Sequence, residues 1–347
     1  MSALGPMTLE RVYFRCEACA MGEYALDEVL GLDGLLSKQA RRLVCYFGGQ
    51  DSFAQASGSL REACGWTISD ETVRQVCYRE AGRLAAWGEG DERAYAKFPE
   101  AAGDTELQID AAKVNTFGGW RDMKLAIYAK RQRGEPATPA EWDRRQLPKH
   151  EARVAFARVE EAEQFGRRLG DWTERLQVDP EAVTVLGDGA EWIWNLSAAQ
   201  VPGSKQCLDI YHASEHLADA GKGVFGPESE GAKRWLEEAR QRLLADGWWG
   251  LCEQVGRTLC AQGEPARVAL EGVLGYFSKQ TGRLNYCARL YAGQVIGSGL
   301  VEGACKNVIG KRLKQTAARW KLENVQKMAV LCCCTYSDSW THYWTAA

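Results

Sequence analysis

The sequence predicts an α/β protein in which a central β-sheet is interrupted by an all-helical insertion and preceded by a helical N-terminal domain. Three patterns in the 347-residue chain support this prediction. Residues 105–129 alternate between apolar and polar side chains, as strands do, and a short apolar run at 183–186 is broken by glycine. From Tyr211 onward the pattern is helical nearly to the end. We therefore expect four segments, at residues 1–100, 101–210, 211–292 and 293–347.

The composition predicts a globular cytoplasmic protein. The chain is 46% hydrophobic and 26% charged, no run approaches the ~20 apolar residues that span a bilayer, and the first residues lack a secretory signal pattern. Thirteen cysteines include the consecutive Cys332, Cys333 and Cys334, which fit a buried helix in a reducing compartment. A net charge of −3 does not decide whether nucleic acid is bound, because the clustering of basic residues matters more.

The first hundred residues are predicted to be helical, without strand-like alternation. Cys16 and Cys19 have the spacing of half a tetrahedral zinc site, and ordinary buried thiols are the alternative. Helices are predicted at 52–64 and 70–84, with Ser69 as an N-cap, and a linker at 88–100. The two helices are either a plain hairpin or a helix-turn-helix. In the second case, the phosphates of DNA would be contacted by Arg74, Arg79 and Arg83.

The middle of the chain predicts alternating strands and helices. Strands are predicted at 106–114, 123–129, 153–159, 183–186 and 207–210, with helices at 160–176 and from about 191. This order, three strands followed by helix, strand, helix and strand, matches the core of an RNase H-like fold. Further helices, predicted at 232–244, 251–261 and 265–291, would form the insertion.

Three acids stand where a two-metal nuclease needs its ligands. Such a site holds two divalent cations roughly 4 Å apart on a few carboxylates. Asp110 lies within an apolar strand, where an acid is costly unless it is paired or binds metal. Asp188 follows a short buried strand, although an Asp-Gly turn is the alternative, and Glu302 begins a helix, where the helix dipole alone favours an acid. We expect all three to bind Mg²⁺ or Mn²⁺.

Basic residues follow Glu302 without an intervening acid between Gly303 and Lys321. They are Lys306, Lys311, Arg312, Lys314, Arg319 and Lys321. A basic helix beside metal-binding acids is expected to contact the DNA backbone, and the alternative is a solvated helix face. Trp320 would either stack on an unpaired base or belong to the core.

Three segments, at 185–194, 208–217 and 296–320, together resemble the bacterial insertion-sequence DDE transposases of the Kra type, relatives of the Mutator-like and hAT transposases. The resemblance covers roughly residues 10–335. It implies an RNase H-like fold, DNA cleavage and strand transfer at element ends by Asp110, Asp188 and Glu302, and a homo-oligomer on DNA in the bacterial nucleoid. It departs at Asp110, which alanine follows in place of glycine, and near Cys16, where the N-terminal region is short.

The resemblance also gives His212 a role. The segment Asp209-Ile210-Tyr211-His212 matches an Asp/Cys-x-x-His motif of the Mutator-like and hAT groups, which implies that His212 positions water or a phosphate near the active site. A structural histidine is the alternative.

Two other functions remain open at this point. Residues 212–216 spell H-x-x-E-H, the pattern of a zinc metallopeptidase that would take a further ligand from Glu237 or Glu238. The other is a truncated or inactive DNA-binding protein that keeps the fold without cutting DNA.

Overall fold

The computed structural model describes residues 1–3, 5–315 and 317–346, and its central feature is a five-stranded mixed β-sheet. The strands are β1 (Phe14–Arg15), β2 (Gly22–Glu23), β3 (Leu32–Asp33), β4 (Leu36–Ser37), β5 (Asp104–Thr116), β6 (Gly119–Arg131), β7 (His150–Arg158), β8 (Val183–Gly187) and β9 (Lys205–Leu208). Strands β5–β9 form the central sheet, and β1–β2 and β3–β4 are separate two-stranded pairs.

Helices cover most of the remaining described chain. They are α1 (Ala25–Val29), α2 (Lys38–Gln50), α3 (Phe53–Cys64), α4 (Asp70–Gly90), α5 (Lys97–Glu100), α6 (Ala162–Arg175), α7 (Glu191–Gln200), α8 (Ile210–Phe225), α9 (Glu230–Gln262), α10 (Arg267–Ser278), α11 (Tyr286–Tyr291), α12 (Gly299–Ala304), α13 (Lys311–Leu313), α14 (Leu322–Tyr336) and α15 (Ser339–Ala346). A π-helix spans Cys305–Gly310, and short 3₁₀ helices lie at Glu92–Tyr95, Pro139–Glu141, Pro180–Ala182, Glu264–Ala266 and Thr281–Arg283.

The sheet has the order β7-β6-β5-β8-β9. Strands β5, β6 and β7 form an antiparallel meander, and β8 and β9 run parallel to β5. The predicted order of strands and helices through this region is confirmed, and so is the α/β class. Because parallel neighbours need a crossover connection, α6 and α7 precede β8 and β9 respectively.

Helices pack on both faces of the sheet, as the alternation of its side chains requires. On one face, Ile109 and Tyr128 share a core with residues of α6, α7 and α8. On the other, Leu125 and Ile127 share a core with residues of α2, α3, α4 and α14. The N-terminal helices therefore pack directly against one face of the sheet. A DNA-binding role for residues 1–100 stays a prediction.

Several local predictions are wrong in detail. The first hundred residues contain the pairs β1–β2 and β3–β4, and the predicted linker at 88–100 is mostly helical, with Phe98 buried. The single helix predicted at 265–291 is interrupted after α10, where Gln280 and Arg283 instead bond to Gly189 and Gln206 on neighbouring elements. Tertiary hydrogen bonds can override local helix propensity in this way.

Two other local predictions are confirmed. The Ser69 hydroxyl caps α4 by accepting a hydrogen bond from the Thr72 backbone N–H at 3.1 Å. Cys332 and Cys333 are buried in α14, and Cys334 is partly buried there. Within the described ranges, no helix combines the length and the apolar character that a bilayer span requires.

Candidate active site

The register of two neighbouring parallel strands brings Asp110, in the middle of β5, and Asp188, just after β8, to the same level of the sheet. In the register of β5 with β8, Gln108 lies opposite Leu186. Each acid follows two residues later, so both stand just beyond the last β5–β8 pair, at the carboxyl end of β8, and open α/β sheets gather their ligands at such an end. Asp110 Oδ1 accepts from the Ala111 N–H at 2.6 Å, and Asp188 Oδ1 accepts from the Ala190 N–H at 2.9 Å.

Negative charge is concentrated at this edge. Burial raises the pKa of Asp110 above its ordinary value, and the nearby Asp188 carboxylate adds to the increase. The Cys305 thiol donates to Asp110 Oδ2 at 3.4 Å, and burial and Asp110 raise the pKa of that thiol. A bound cation would relieve the unfavourable charge on Asp110, because an opposite charge within a few ångströms favours ionisation.

Glu302 reaches the same edge from the first turn of α12, as predicted. A buried glutamine holds that turn against the sheet: Gln108 Oε1 accepts from the Val301 N–H at 3.0 Å, while Gln108 Nε2 donates to Glu106 at 3.0 Å. The Glu302 side chain is 41% exposed, and its carboxylate lies 4.0 Å from Lys306 Nζ. Glu302 also contributes to the raised pKa of Cys305, so its carboxylate lies within electrostatic range of that thiol.

Asp209 is a structural residue of the site to which sequence reasoning assigned no role. It is fully buried, and it follows β9 as Asp188 follows β8. Its Oδ1 accepts from the backbone N–H groups of Ser298 and Tyr211, both at 3.1 Å, and its Oδ2 accepts from the Ser298 hydroxyl at 2.8 Å. Asp209 thus caps α8 and anchors the loop that leads to Glu302. An acid just before a helical pattern is an N-cap signal, but the partner in that loop is invisible in the sequence.

His212 lies beside Asp188. Its Nε2 is 3.8 Å from Asp188 Oδ2, and its Nδ1 is 3.4 Å from Glu215 Oε2. The imidazole is 41% exposed, so solvent reaches it. This placement is compatible with the role that the motif implies, because a histidine next to a metal-binding acid can position water or exchange a proton.

Helix α10 braces the turn that carries Asp188. The Tyr276 hydroxyl donates to the Asp188 carbonyl at 2.8 Å, and Gln280 Nε2 donates to the Gly189 carbonyl at 3.1 Å. Gly189 adopts a φ of 98°, which favours glycine at this position. These contacts fix the direction in which the Asp188 side chain leaves the strand.

The acids stand at one edge without forming a ready-made cluster. In the described part of the chain, no three side chains of His, Cys, Asp or Glu converge closely enough to hold a metal ion. The donors are hard oxygens, which suit magnesium. The chemistry of the donors, although not yet their spacing, thus suits a divalent cation.

The peptidase hypothesis receives no support from these contacts. The His216 ring stacks on Tyr276 with centroids 3.6 Å apart. Of the two acids suggested as a further ligand, Glu237 pairs with Arg240, and Glu238 accepts from Gln254 Nε2 at 3.1 Å. Both acids are thus engaged within α9 rather than with the histidines.

The basic segment after Glu302 is not one helix, and its Arg312 is not a surface residue. The α-helix changes to a π-helix at Cys305, and α13 ends at Leu313. Arg312 is 3% exposed; its Nε donates to the Gly48 carbonyl at 2.7 Å, and its guanidinium lies 4.5 Å from the Phe53 ring centroid. The prediction that Arg312 binds DNA is wrong, because its guanidinium is buried against core residues and does not reach the surface.

The other predicted DNA-binding residues are exposed, and they are Lys306, Lys311, Lys314 and Arg319. Trp320 belongs to the core, as the alternative held: it is 8% exposed and its Nε1 donates to the Leu313 carbonyl at 3.0 Å. Along α4, the candidate arginines are paired with carboxylates, Arg74 with Glu71 and both Arg79 and Arg83 with Asp33. These pairs reduce the charge that the suggested helix-turn-helix would offer to phosphates.

Cys16 and Cys19 lie in the turn between β1 and β2 and are both exposed, so the alternative of buried thiols is wrong. Hydrogen bonds from the backbone N–H and the thiol of Cys19 lower the pKa of Cys16. A hairpin turn with such N–H groups suits a metal-binding thiolate. Half a zinc site at this turn stays a prediction.

No model of a known protein family matches this chain, and no curated protein matches it. What the geometry itself defines is a level of the sheet at which the carboxylates of Asp110 and Asp188 stand side by side.

Proposed function

We propose that this chain is a DDE-type DNA transposase of the bacterial insertion-sequence Kra type, which cleaves DNA and transfers strands at the element's ends. Asp110, Asp188 and Glu302 would hold its magnesium or manganese ions. The observation that carries the proposal is the level placement of Asp110 on β5 and Asp188 just after β8, with the helical turn that carries Glu302 bonded to Gln108 through the Val301 N–H. Three acids from separate elements are what two-metal phosphodiester chemistry needs.

The topology supports the same proposal. An antiparallel meander followed by two parallel strands, in the order β7-β6-β5-β8-β9, is the arrangement of an RNase H-like core. Helices α9, α10 and α11 lie between β9 and α12, where an insertion would interrupt that core. Through Tyr276, this insertion would help to orient Asp188.

Each side chain near the acids has a task in the proposed reaction. Bound magnesium would polarise the scissile phosphate and stabilise charge on the attacking and leaving oxygens. His212, beside Asp188, is placed to orient a water molecule or to hold its proton. Cys305 restrains the Asp110 carboxylate through its hydrogen bond. Lys306, exposed next to Glu302, would attract the DNA backbone.

A cleavage assay on DNA that carries the element's own terminal sequences tests this proposal. We expect cuts at the ends with magnesium or manganese and none with EDTA, because the reaction needs the metal-bound acids. Binding without cleavage would instead favour the inactive DNA-binding protein. One tight zinc at His212 and His216 together with peptide cleavage would show that the chain is a metallopeptidase.

Exposed lysines after Glu302 are expected to bind backbone rather than bases. In the double variant Lys311→Ala/Lys314→Ala, affinity should fall about equally for all duplexes, because phosphate contacts carry no sequence information. The slope of log affinity against log salt should decrease by about two units if both residues touch phosphate. The measurement is fluorescence anisotropy over a salt series. Lys222→Ala/Lys233→Ala, on α8 and α9, is the matched control, and an unchanged slope in the first variant would place the DNA elsewhere.

A further inference from the structure

The hairpin of β5 and β6 extends beyond the rest of the sheet on the side of the candidate site. Parallel pairing of β5 with β8 ends at Gln108, and pairing of β6 with β7 ends at Lys124, whereas β5 and β6 remain paired to Thr116 and Gly119. The tip of this hairpin is the segment 117–120. Leu125 on β6 is the residue that pairs with Asp110, and Trp120 lies five residues from Leu125, which corresponds to about 17 Å along the strand.

Two large aromatic side chains are exposed at this hairpin tip. Phe117 is 62% exposed and Trp120 is 63% exposed, and two glycines separate them. Single exposed apolar residues are common and need no explanation. Two largely exposed rings within four residues, at the end of a projecting hairpin, are therefore the feature that needs an explanation.

The hairpin tip is held rigidly. The Phe117 N–H donates to the Trp320 carbonyl at 2.9 Å, and the Trp320 N–H donates to the Asn115 carbonyl at 3.0 Å. The Thr116 hydroxyl closes the turn by donating to the Gly119 carbonyl at 2.6 Å. Because Trp320 is itself part of the core, the tip is anchored to the body of the protein. A fixed backbone at the tip reduces the conformational freedom that is lost when a ligand binds there.

Positive charge surrounds these rings. The Arg319 guanidinium lies 5.2 Å from the centroid of the Phe117 ring, and Arg121 is exposed on β6 next to Trp120. The adjacent acid, Asp122, pairs with Lys113 at 2.9 Å. Aromatic faces flanked by arginines fit a ligand that carries both flat rings and negative charge.

We infer that the hairpin tip binds unpaired nucleotides of DNA, with bases stacked on Phe117 and Trp120 and phosphates beside Arg121 and Arg319. This inference rests on the proposed function, because the unpaired nucleotides would belong to the DNA strand that separates from its partner near the cleavage site. The distance of about 17 Å from Asp110 corresponds to about five nucleotides at the duplex spacing along one strand. Stacking accepts any base, so little sequence preference is expected at this point.

Anisotropy measurements on the full chain in EDTA test the inference without requiring cleavage. The probes are a labelled thymidine oligonucleotide of about twenty nucleotides, a blunt duplex of the same length, and that duplex with a single-stranded overhang of about five nucleotides. In Phe117→Ala/Trp120→Ala, affinity for the single strand and the overhang should fall about tenfold or more, since each stacked base contributes about five- to a hundredfold. Affinity for the blunt duplex should change by less than about threefold, since phosphate contacts hold it.

Trp249→Ala is the matched control, because Trp249 is a 77% exposed aromatic residue on α9, far along the chain from the hairpin. It should leave all three affinities unchanged. If the alanine variant fails to fold, Phe117→Leu/Trp120→Leu keeps apolar bulk and removes the rings, and it should show the same selective loss.

Three results would overturn the inference: an unchanged affinity for the single strand, an equal loss for the blunt duplex, or the loss of an oligomer with nucleic-acid binding intact, which would make the tip a protein contact. If the chain binds single strands selectively but cleaves no DNA, the inference about the hairpin tip would stand and the proposed transposase function would be refuted. If the chain cleaves DNA but the variant shows no selective loss of single-strand binding, the proposed function would stand and the inference about the hairpin tip would be refuted.

Discussion

Under the proposed transposase function, Asp188→Asn should reduce magnesium-dependent DNA cleavage by about a thousandfold or more, because the loss of a proposed metal ligand would remove several kcal/mol of transition-state stabilisation. The substitution is nearly isosteric. The amide oxygen of the new side chain can still accept from the Ala190 N–H, so the turn at Gly189 is expected to persist. Binding of DNA in EDTA should remain within about threefold of the wild type, since it depends on phosphate contacts.

The measurement is single-turnover cleavage of labelled terminal DNA, accompanied by a thermal melt to verify folding. Asp171→Asn, which changes an exposed acid on α6, is the matched control and should cleave normally. Cleavage by Asp188→Asn at close to the wild-type rate would refute the assignment of the site. If part of the Asp188→Asn protein is unfolded, the cleavage rate is divided by the folded fraction before it is compared with the wild type.

Arg312→Ala should destabilise the fold by about 2–4 kcal/mol, as other large-to-small changes in a core do. The substitution removes the side chain that packs between Phe53 and Trp320, and it leaves the Gly48 carbonyl without its donor. Burial lowers the pKa of Arg312, which indicates that the guanidinium is poorly solvated. A surface arginine that contacts DNA would behave differently, because its removal would weaken binding and leave stability unchanged.

Urea denaturation provides the free energy of unfolding for this comparison. Lys311→Ala, one residue earlier and exposed, should stay within about 0.5 kcal/mol of the wild type. Arg312→Met preserves most of the packing and loses the hydrogen bond, so it should fall between the two. An Arg312→Ala protein with normal stability and reduced DNA affinity would restore the interpretation that the sequence first suggested.

Local patterns in the sequence were sufficient for the order of the elements. Alternation with a period of two predicts β5 and β6, and a short apolar run broken by glycine predicts β8. The same local reasoning found Asp188 after its strand, Glu302 in the first turn of its helix and the Ser69 cap. Each of these features depends on residues within a few positions of one another, and for that reason a single sequence reveals them.

Contacts between distant segments were beyond the reach of those patterns. Arg312 and Lys311 are adjacent basic residues in the same run, yet one is buried against Gly48, 264 positions away, and the other faces solvent. Gln108 and Asp209 resemble ordinary polar residues until their partners in the segment before Glu302 are known. Hydrogen bonds to residues far along the chain leave no periodic trace in the sequence.

By itself, the sequence determined that the chain alternates strands and helices, that Asp110 lies within a strand and that Asp188 follows one, because local side-chain patterns encode these features. Only the tertiary structure decided that Asp110 and Asp188 stand level with each other, because that depends on the register between β5 and β8, set by packing on both faces of the sheet. The tertiary structure also decided which aromatic residues near the basic segment are exposed to solvent. Trp320 is held in the core by a hydrogen bond to Leu313, which leaves Phe117 and Trp120 as the exposed rings.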